Sequence, residues 1–309
     1  MQVHKDLDQL PIFRKAVVTI GTFDGVHLGH RQVIASLNKE ARAIGGESVI
    51  ITFHPHPRKI VSSPNPGVQL INTLEEKLEL LKNAGVDHVV VVPFTESFAG
   101  QTAEEYIENF LVGRFNPHTV IIGFDHRFGR ERKGDYLLLE RFAPVFAFRL
   151  EEIPKHLLDD IGISSTRIRE AILQCEPEKA TGLLGYEFFF SGLVVDGDKL
   201  GRELGYPTAN LRVENEEKLI PGNGIYAVYA QLQNRNDRLK GMMSIGFRPT
   251  VNGQKRVIEV NLFDFDGDIY GQHLRVYIKK YLRAEVKYDS LEALVRQIDL
   301  DKIKSLEVL

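Results

Sequence analysis

Gly21-Thr22-Phe23-Asp24-Gly25-Val26-His27-Leu28-Gly29-His30 is the stretch on which the fold turns. The apolar run Ala16 to Ile20 precedes it and a helical pattern follows it. Glycines and a His-x-Gly-His therefore fall at a strand-to-helix turn. Glycine there lets the backbone come close to a bulky anion. The helix N-terminus adds unpaired N–H groups and partial positive charge. Two imidazoles three residues apart add donors on one side of the turn. The string predicts a polyphosphate site. A tight turn with incidental histidines is the plainer alternative, and the complete ten-residue string weighs against it.

Working outward, the first half alternates strand and helix. Val17–Ile20 is the first expected strand. Val33, Ile34, Leu37, Ala41 and Ile44 recur at helical spacing, and Gly45-Gly46 stops that helix. Ser48–Phe53 reads as a strand that ends in His54-Pro55-His56-Pro57, where the prolines prevent continuation. Thr73 and Glu76, then Thr102 and Glu105, have capping-box spacing and open two helices. His88–Phe94, Val120–Ile122 and Val145–Leu150 complete the expected strands, with a helix over Asp135–Phe142. Such alternation predicts a parallel sheet with right-handed crossovers. Ligands then bind beyond the carboxyl ends of the strands. The His-x-Gly-His turn, the His-Pro-His-Pro loop and the turn Gly123–Gly129 all follow strands.

Past a helix opened by Ser164-Ser165-Thr166-Arg167 and a short one over Glu176–Leu184, the pattern changes near Gly185. Phe188–Val195, Ile225–Leu232, Gly241–Phe247, Val257–Phe263 and His273–Tyr281 read as strands separated by Gly-, Asn- and Asp-rich turns. A helix over Ser290–Ile298, capped by Asp289, closes the chain. The expected fold is α/β plus all-β: a Rossmann-like domain over residues 1–184, then a small antiparallel barrel with a C-terminal helix over 185–309.

Composition bounds the classes available. The chain has 309 residues, 43% hydrophobic and 26% charged, ordinary for a globular protein of two domains. A net charge of −3 gives no basic footprint for nucleic acid. Cys175 is the only cysteine, which excludes an intrachain disulfide. Residues Met1 to Leu10 carry no apolar signal region, and the strongest apolar run, Val89 to Val92, is strand-sized. The expectation is a cytoplasmic enzyme, and oligomeric state is not readable. No Gly-x-x-x-x-Gly-Lys-Ser/Thr occurs, and no Gly-x-Gly-x-x-Gly follows a strand. The histidines lack carboxylate partners at metal-ligand spacing.

Ser164, Ser165, Thr166 and Arg167 form the second anion signal. Hydroxyls and N–H groups at a helix start hold phosphate oxygens, and Arg167 can neutralise a leaving pyrophosphate. Glu259 lies in Arg256-Val257-Ile258-Glu259-Val260-Asn261-Leu262. Ile258, Val260 and Leu262 take the apolar face, so Glu259 and Asn261 share the other.

Gly21–His30 with Ile163-Ser164-Ser165-Thr166-Arg167 resembles the nucleotidyltransferases that carry a His-x-Gly-His signature. Leu200–Leu211, containing Pro207-Thr208-Ala209-Asn210, resembles the Pro-Thr-Ala-Asn signature of riboflavin kinase. Gly224–Val228, Ser244–Thr250, Glu259 and Phe263–Gly271 match it too. Almost the whole chain, in order, is similar to the family of prokaryotic bifunctional riboflavin kinase/FMN adenylyltransferases, also called FAD synthetases. The resemblance implies two reactions: ATP phosphorylates riboflavin to FMN in the C-terminal module, and ATP adenylylates FMN to FAD with release of pyrophosphate in the N-terminal one. It implies magnesium for both. It implies adenylyltransferase ATP contacts at Gly21, Phe23, Asp24, Gly25, His27, His30, Asp125 and Ser164 through Arg167, with His27, His30 and Arg167 catalytic. His54, His56, Pro57 and Phe128 would meet the flavin. In the kinase it implies ATP contacts at Gly201, Gly205, Pro207, Thr208 and Asn210, magnesium on Thr208 and Asn210, and Glu259 as base. Asn261 stands where many relatives carry histidine. Phe124 and His126 stand where an acidic residue and an aromatic are expected. Two other readings compete: an enzyme with one active module, and a flavin-sensing regulator, which would need neither Glu259 nor the histidine pair.

Overall fold

A computed structural model describes the chain except residues 62–67, 124–125, 154–161, 198–200, 202–204 and 251–252, and the side chains of 249, 250 and 253–255. It divides into two compact units, Met1–Ser165 and Thr166–Leu309.

In the first unit the strands are β1 (Gln2–His4), β2 (Val17–Ile20), β3 (Ser48–His54), β4 (His88–Pro93), β5 (Thr119–Gly123) and β6 (Arg149–Ile153). They form one sheet in the order β1-β4-β3-β2-β5-β6, every pair parallel. Val17, Val18, Thr19 and Ile20 are all buried because a parallel sheet is covered on both faces. Alternation sends Val18 and Ile20 into a core with Phe110, Leu111 and Phe115, and Val17 into one with Ile34, Leu37 and Leu81. From β2 the chain builds outward through β3 and β4, then returns to lay β5 on the other side. The crevice of such a reversal lies at the carboxyl ends of β2 and β5, where the turns after Ile20 and after Gly123 begin.

The helices are α1 (Leu28–Ala43), α2 (Pro57–Val61), α3 (Leu74–Asn83), α4 (Glu96–Ala99), α5 (Ala103–Glu105), α6 (Gly113–Phe115) and α7 (Tyr136–Phe146). A π-helical segment, Tyr106–Val112, joins α5 to α6. Both expected capping boxes are present, Thr73 with Glu76 and Thr102 with Glu105. β1 was not expected from the sequence. It pairs Gln2 with His88 and His4 with Val90, and its three largely polar residues carry no strand pattern. The last strand begins at Arg149 and not Val145, because the helix capped by Asp135 runs on to Phe146 before Ala147 turns left-handed.

The second unit holds most of α8 (Ser165–Leu173), then α9 (Pro177–Leu184), and a closed antiparallel barrel. Its strands are β7 (Phe189–Val195), β8 (Ala209–Arg212), β9 (Gly224–Leu232), β10 (Leu239–Thr250), β11 (Gly253–Leu262) and β12 (His273–Arg283), closed in the order β10-β11-β8-β7-β12-β9. Phe190, Tyr226, Val228, Ile245, Val260 and Val276 are fully buried inside it. The four-residue β8 was not among the expected strands. The final helix, α10 (Leu291–Val308), is longer than expected, and its N-cap is Ser290, not Asp289: the hydroxyl accepts from the Ala293 N–H. Arg283 on β12 ties it down through three hydrogen bonds of 2.6–3.0 Å to the buried Asp301 carboxylate.

Candidate active sites

The turn after β2 is built by its rings. Phe23 and Val26 hold positive φ, 49° and 35°, and Gly25 reaches 90°. Positive φ in a β-branched residue is strained, and such strain collects at functional turns. His27 is the N-cap of α1, with Nδ1 accepting from the His30 N–H at 3.3 Å. An Nδ1 that accepts leaves the proton of a neutral imidazole on Nε2. The His27 and His30 rings stack at 3.6 Å, and Phe23 packs on His30 at 5.1 Å. A Cβ at Gly29 would stand 3.3 Å from the His27 ring, so glycine keeps that side of the stack uncrowded. Burial pushes His27 down to about 4 against the pull of Asp24. Burial pushes His30 well below its usual value, helped by His27 and Lys77. Both imidazoles are therefore neutral near pH 7, donors to an anion and not cations. His30 Nδ1 is buried with no partner among the described residues.

Two buried charges brace the turn. Asp24 faces inward: its Oδ1 accepts from the N–H groups of Ile71 at 3.0 Å and Asn72 at 3.2 Å. Lys77 on α3, 8% exposed, was not anticipated. Its Nζ donates to the Thr22 carbonyl at 3.0 Å and to Thr52 Oγ1 at 3.1 Å. Burial lowers it to about 8, again against Asp24. Lys77 shares a helix face with Leu74 and Leu81, and a lysine on an apolar stripe was the available signal.

Ser165 comes to the same turn, its Oγ donating to the Asp24 carbonyl at 2.9 Å. Ser164 immediately precedes it; Thr166 and Arg167 belong to the second unit. His54 ends β3 and is exposed, with its pKa lowered first by burial and then by Lys77, the lysine that also acts on His30. His56 Nδ1 accepts from the Arg58 N–H at 3.2 Å, and Pro57 begins α2. Phe128 is 6% exposed, packed against Tyr106 at 5.0 Å and His126 at 5.7 Å, so it lies in the core and not on an open wall. Asp125 and Phe124 lie outside the described residues.

In the second unit the barrel brings the candidate base beside the signature segment. β11 pairs with β8 so that Glu259 stands opposite Asn210 and Val260 opposite Ala209. Ile258, Val260 and Leu262 are buried and the Glu259 side chain is 22% exposed. The Glu259 carboxylate accepts from Arg248 Nη2 at 2.7 Å. Arg248 lies in the Ser244–Thr250 match, and nothing in its local pattern pairs it with Glu259. Asn261, 6% exposed, donates from Nδ2 to the Pro207 carbonyl at 2.7 Å. The Tyr206 N–H closes a turn onto the Gly201 carbonyl at 2.7 Å, and its hydroxyl donates to Asp299 of α10. A Cβ at Gly201 would stand 3.3 Å from Thr208 Oγ1, and one at Gly197 would overlap the Asn210 amide. Glycine at both positions lets the backbone pack closely beside two neutral oxygen donors, Thr208 and Asn210; a Cβ at Gly201 would also overlap the Tyr206 carbonyl. That donor set suits a hard cation which keeps its waters and substrate phosphates. Gly205 has a φ of 82°, as a turn glycine does.

Comparison with known proteins gives a consistent pattern. A family model described as FAD synthetase matches residues 10–167, and one described as riboflavin kinase matches residues 184–309. The bifunctional riboflavin kinase/FMN adenylyltransferase of Escherichia coli (strain K12) is 37% identical over 291 residues, 94% of this chain and 92% of that protein. The Bacillus subtilis (strain 168) protein of the same description is 33% identical over 297 residues, again 94% and 92%. A crystal structure from Streptococcus pneumoniae, described as a macrolide-efflux protein, is 32% identical with a TM-score of 0.87 over 98% of both chains. Among the described residues of the present chain, no helix is long and apolar enough to cross a membrane.

Proposed function

The chain belongs to the family of bifunctional riboflavin kinase/FMN adenylyltransferases, and on that premise we propose how its two centres divide the work. The N-terminal module, expected to end near residue 184, makes FAD from FMN and ATP. The C-terminal module makes FMN from riboflavin and ATP. The observation that carries the reading is the pairing of Glu259 with Asn210 across β11 and β8, which sets a carboxylate beside the Pro-Thr-Ala-Asn segment.

In the kinase module the terminal ribityl hydroxyl attacks the γ-phosphorus of ATP. The bond to the β-phosphate oxygen breaks, ADP leaves, and the hydroxyl proton passes to Glu259. A positioned carboxylate contributes about 10²–10⁴-fold in such a step. Arg248 directs the Glu259 carboxylate through their 2.7 Å ion pair. Pro207, Thr208, Gly201 and Gly205 border the ATP phosphates. Thr208 and Asn210 would hold a magnesium ion, which when bound offsets phosphate charge.

In the adenylyltransferase module an FMN phosphate oxygen attacks the α-phosphorus of ATP and pyrophosphate leaves. The nucleophile is already anionic, so no strong base is needed. Charge must instead be stabilised as the leaving group departs. His27 Nε2–H, His30 and the first N–H groups of α1 are the donors proposed for that task. Gly21, Phe23 and Gly25 shape the approach, Asp24 holds the turn, and Ser164 and Ser165 adjoin it. Thr166, Arg167 and Asp125 enter from the family pattern alone. His54, His56 and Pro57 would border the flavin, and Phe128 would support that wall from within the core. The proposed compartment is the cytoplasm, where ATP is supplied.

Incubation of the purified protein with riboflavin, ATP and magnesium, followed by chromatographic separation of the flavins, tests the reading. FMN should appear first and FAD after it. FMN without FAD would remove the first module's activity, and no product at all would leave a flavin-binding regulator.

A further inference from the structure

We infer that Asn261 is a positioning residue for phosphoryl transfer, holding the Pro207–Asn210 segment against the strand that carries Glu259; the inference rests on the kinase reading. Asn261 and Glu259 lie two residues apart on β11 and so project from the same face. Glu259 stands opposite Asn210 in the ladder, and Asn261 extends beyond the last paired position, Val260 with Ala209. Beyond that point the Pro207–Thr208 segment has left the ladder, and Pro207 has no N–H to offer it. The Asn261 amide takes over there, donating to the Pro207 carbonyl at 2.7 Å.

The site explains why this side chain is buried. An asparagine 6% exposed on a barrel strand costs free energy unless its polar atoms are satisfied, and its Nδ2 spends a donor on a main-chain carbonyl next to Thr208. The bond links the base-bearing strand to the residue before Thr208. Tyr206, one residue earlier, is held separately by its hydroxyl on Asp299 of α10 and by its N–H on the Gly201 carbonyl. Removing the Asn261 donor frees Pro207–Thr208 on the side facing Glu259 and leaves the Tyr206 anchor in place. Errors near 1 Å in such positioning cost about 10²-fold in rate.

Asn261→Leu keeps the volume and removes the donor. Hydrogen–deuterium exchange of the free protein should quicken in peptides over residues 205–211 and stay unchanged in β9 and β12. In steady-state assays the KM for ATP in FMN formation should rise about fivefold or more and kcat should fall at least about tenfold. The KM for riboflavin should stay within about twofold. A general loosening of the barrel would instead lower the active fraction and leave the ATP KM where it was. If the leucine variant does not fold, Asn261→Ser, too short to reach the carbonyl, gives the same reading. Unchanged exchange over 205–211, or an unchanged ATP KM, overturns the inference. Wild-type enzyme that makes no FMN overturns the kinase reading instead, so the two failures are distinct.

Discussion

Acid should loosen the first unit through His27. Its imidazole has a folded pKa of about 4 against an ordinary 6.5, because burial disfavours the charged ring. The folded value is depressed, so the unfolded chain binds more protons than the folded one between 6.5 and about 4. The stabilising contribution is whole above 6.5 and is lost as pH falls through that window. Linkage gives a total of about 3 kcal/mol, of which about 2 kcal/mol is gone by roughly pH 4.5. The same proton would land on Nδ1 and displace the His30 N–H, breaking the cap of α1. His27→Asn is the appropriate comparison, since asparagine is among the best N-caps and does not titrate. Native-state hydrogen exchange of peptides over Val17–Ala43, converted to opening free energies at about pH 7 and pH 4.5, reads the effect. Wild type should lose about 2 kcal/mol more than His27→Asn over that interval. Equal losses in the two proteins would refute the buried, neutral imidazole.

Other perturbations separate the remaining roles. Lys77→Met removes the donor to the Thr22 carbonyl, so FMN-to-FAD turnover should fall about tenfold or more, with FMN formation unchanged in the same preparation. Asp301→Ala strands Arg283 beneath α10 and should cost the second unit about 3–5 kcal/mol, read by urea unfolding. Glu259→Gln should lower FMN formation at least about 10²-fold, and a smaller loss in initial-rate assays would remove Glu259 from the proton transfer.

Much of this architecture could be read from local pattern because local pattern causes it. The apolar strands and the two capping boxes act over a few residues and are visible as such. The facing of Glu259 follows from the two-residue period of a strand. What local pattern does not carry is set by partners distant in sequence. Lys77 reads as a surface lysine until α3 docks and its amine meets Thr22 and Thr52. The glycines of the opening turn offer an anion a close approach by type alone; the tight 3.3 Å spacing of a Gly29 Cβ from the His27 ring appears only in the fold. Arg248 reaches Glu259 through the long β10–β11 hairpin, whose register composition does not specify. Asp24 stands in the motif as a nucleotide contact would, yet its carboxylate accepts from the Ile71 and Asn72 amides.

Each module carries its own active centre, and mixing two variants tests that division most directly. Glu259→Gln and His30→Ala are each supplied with riboflavin, ATP and magnesium, alone and then together, and the flavins are separated over time. The first alone should leave riboflavin unconverted, the second alone should accumulate FMN, and the mixture should form FAD. FAD formation by His30→Ala alone, or a mixture that forms none while FMN accumulates, would contradict it.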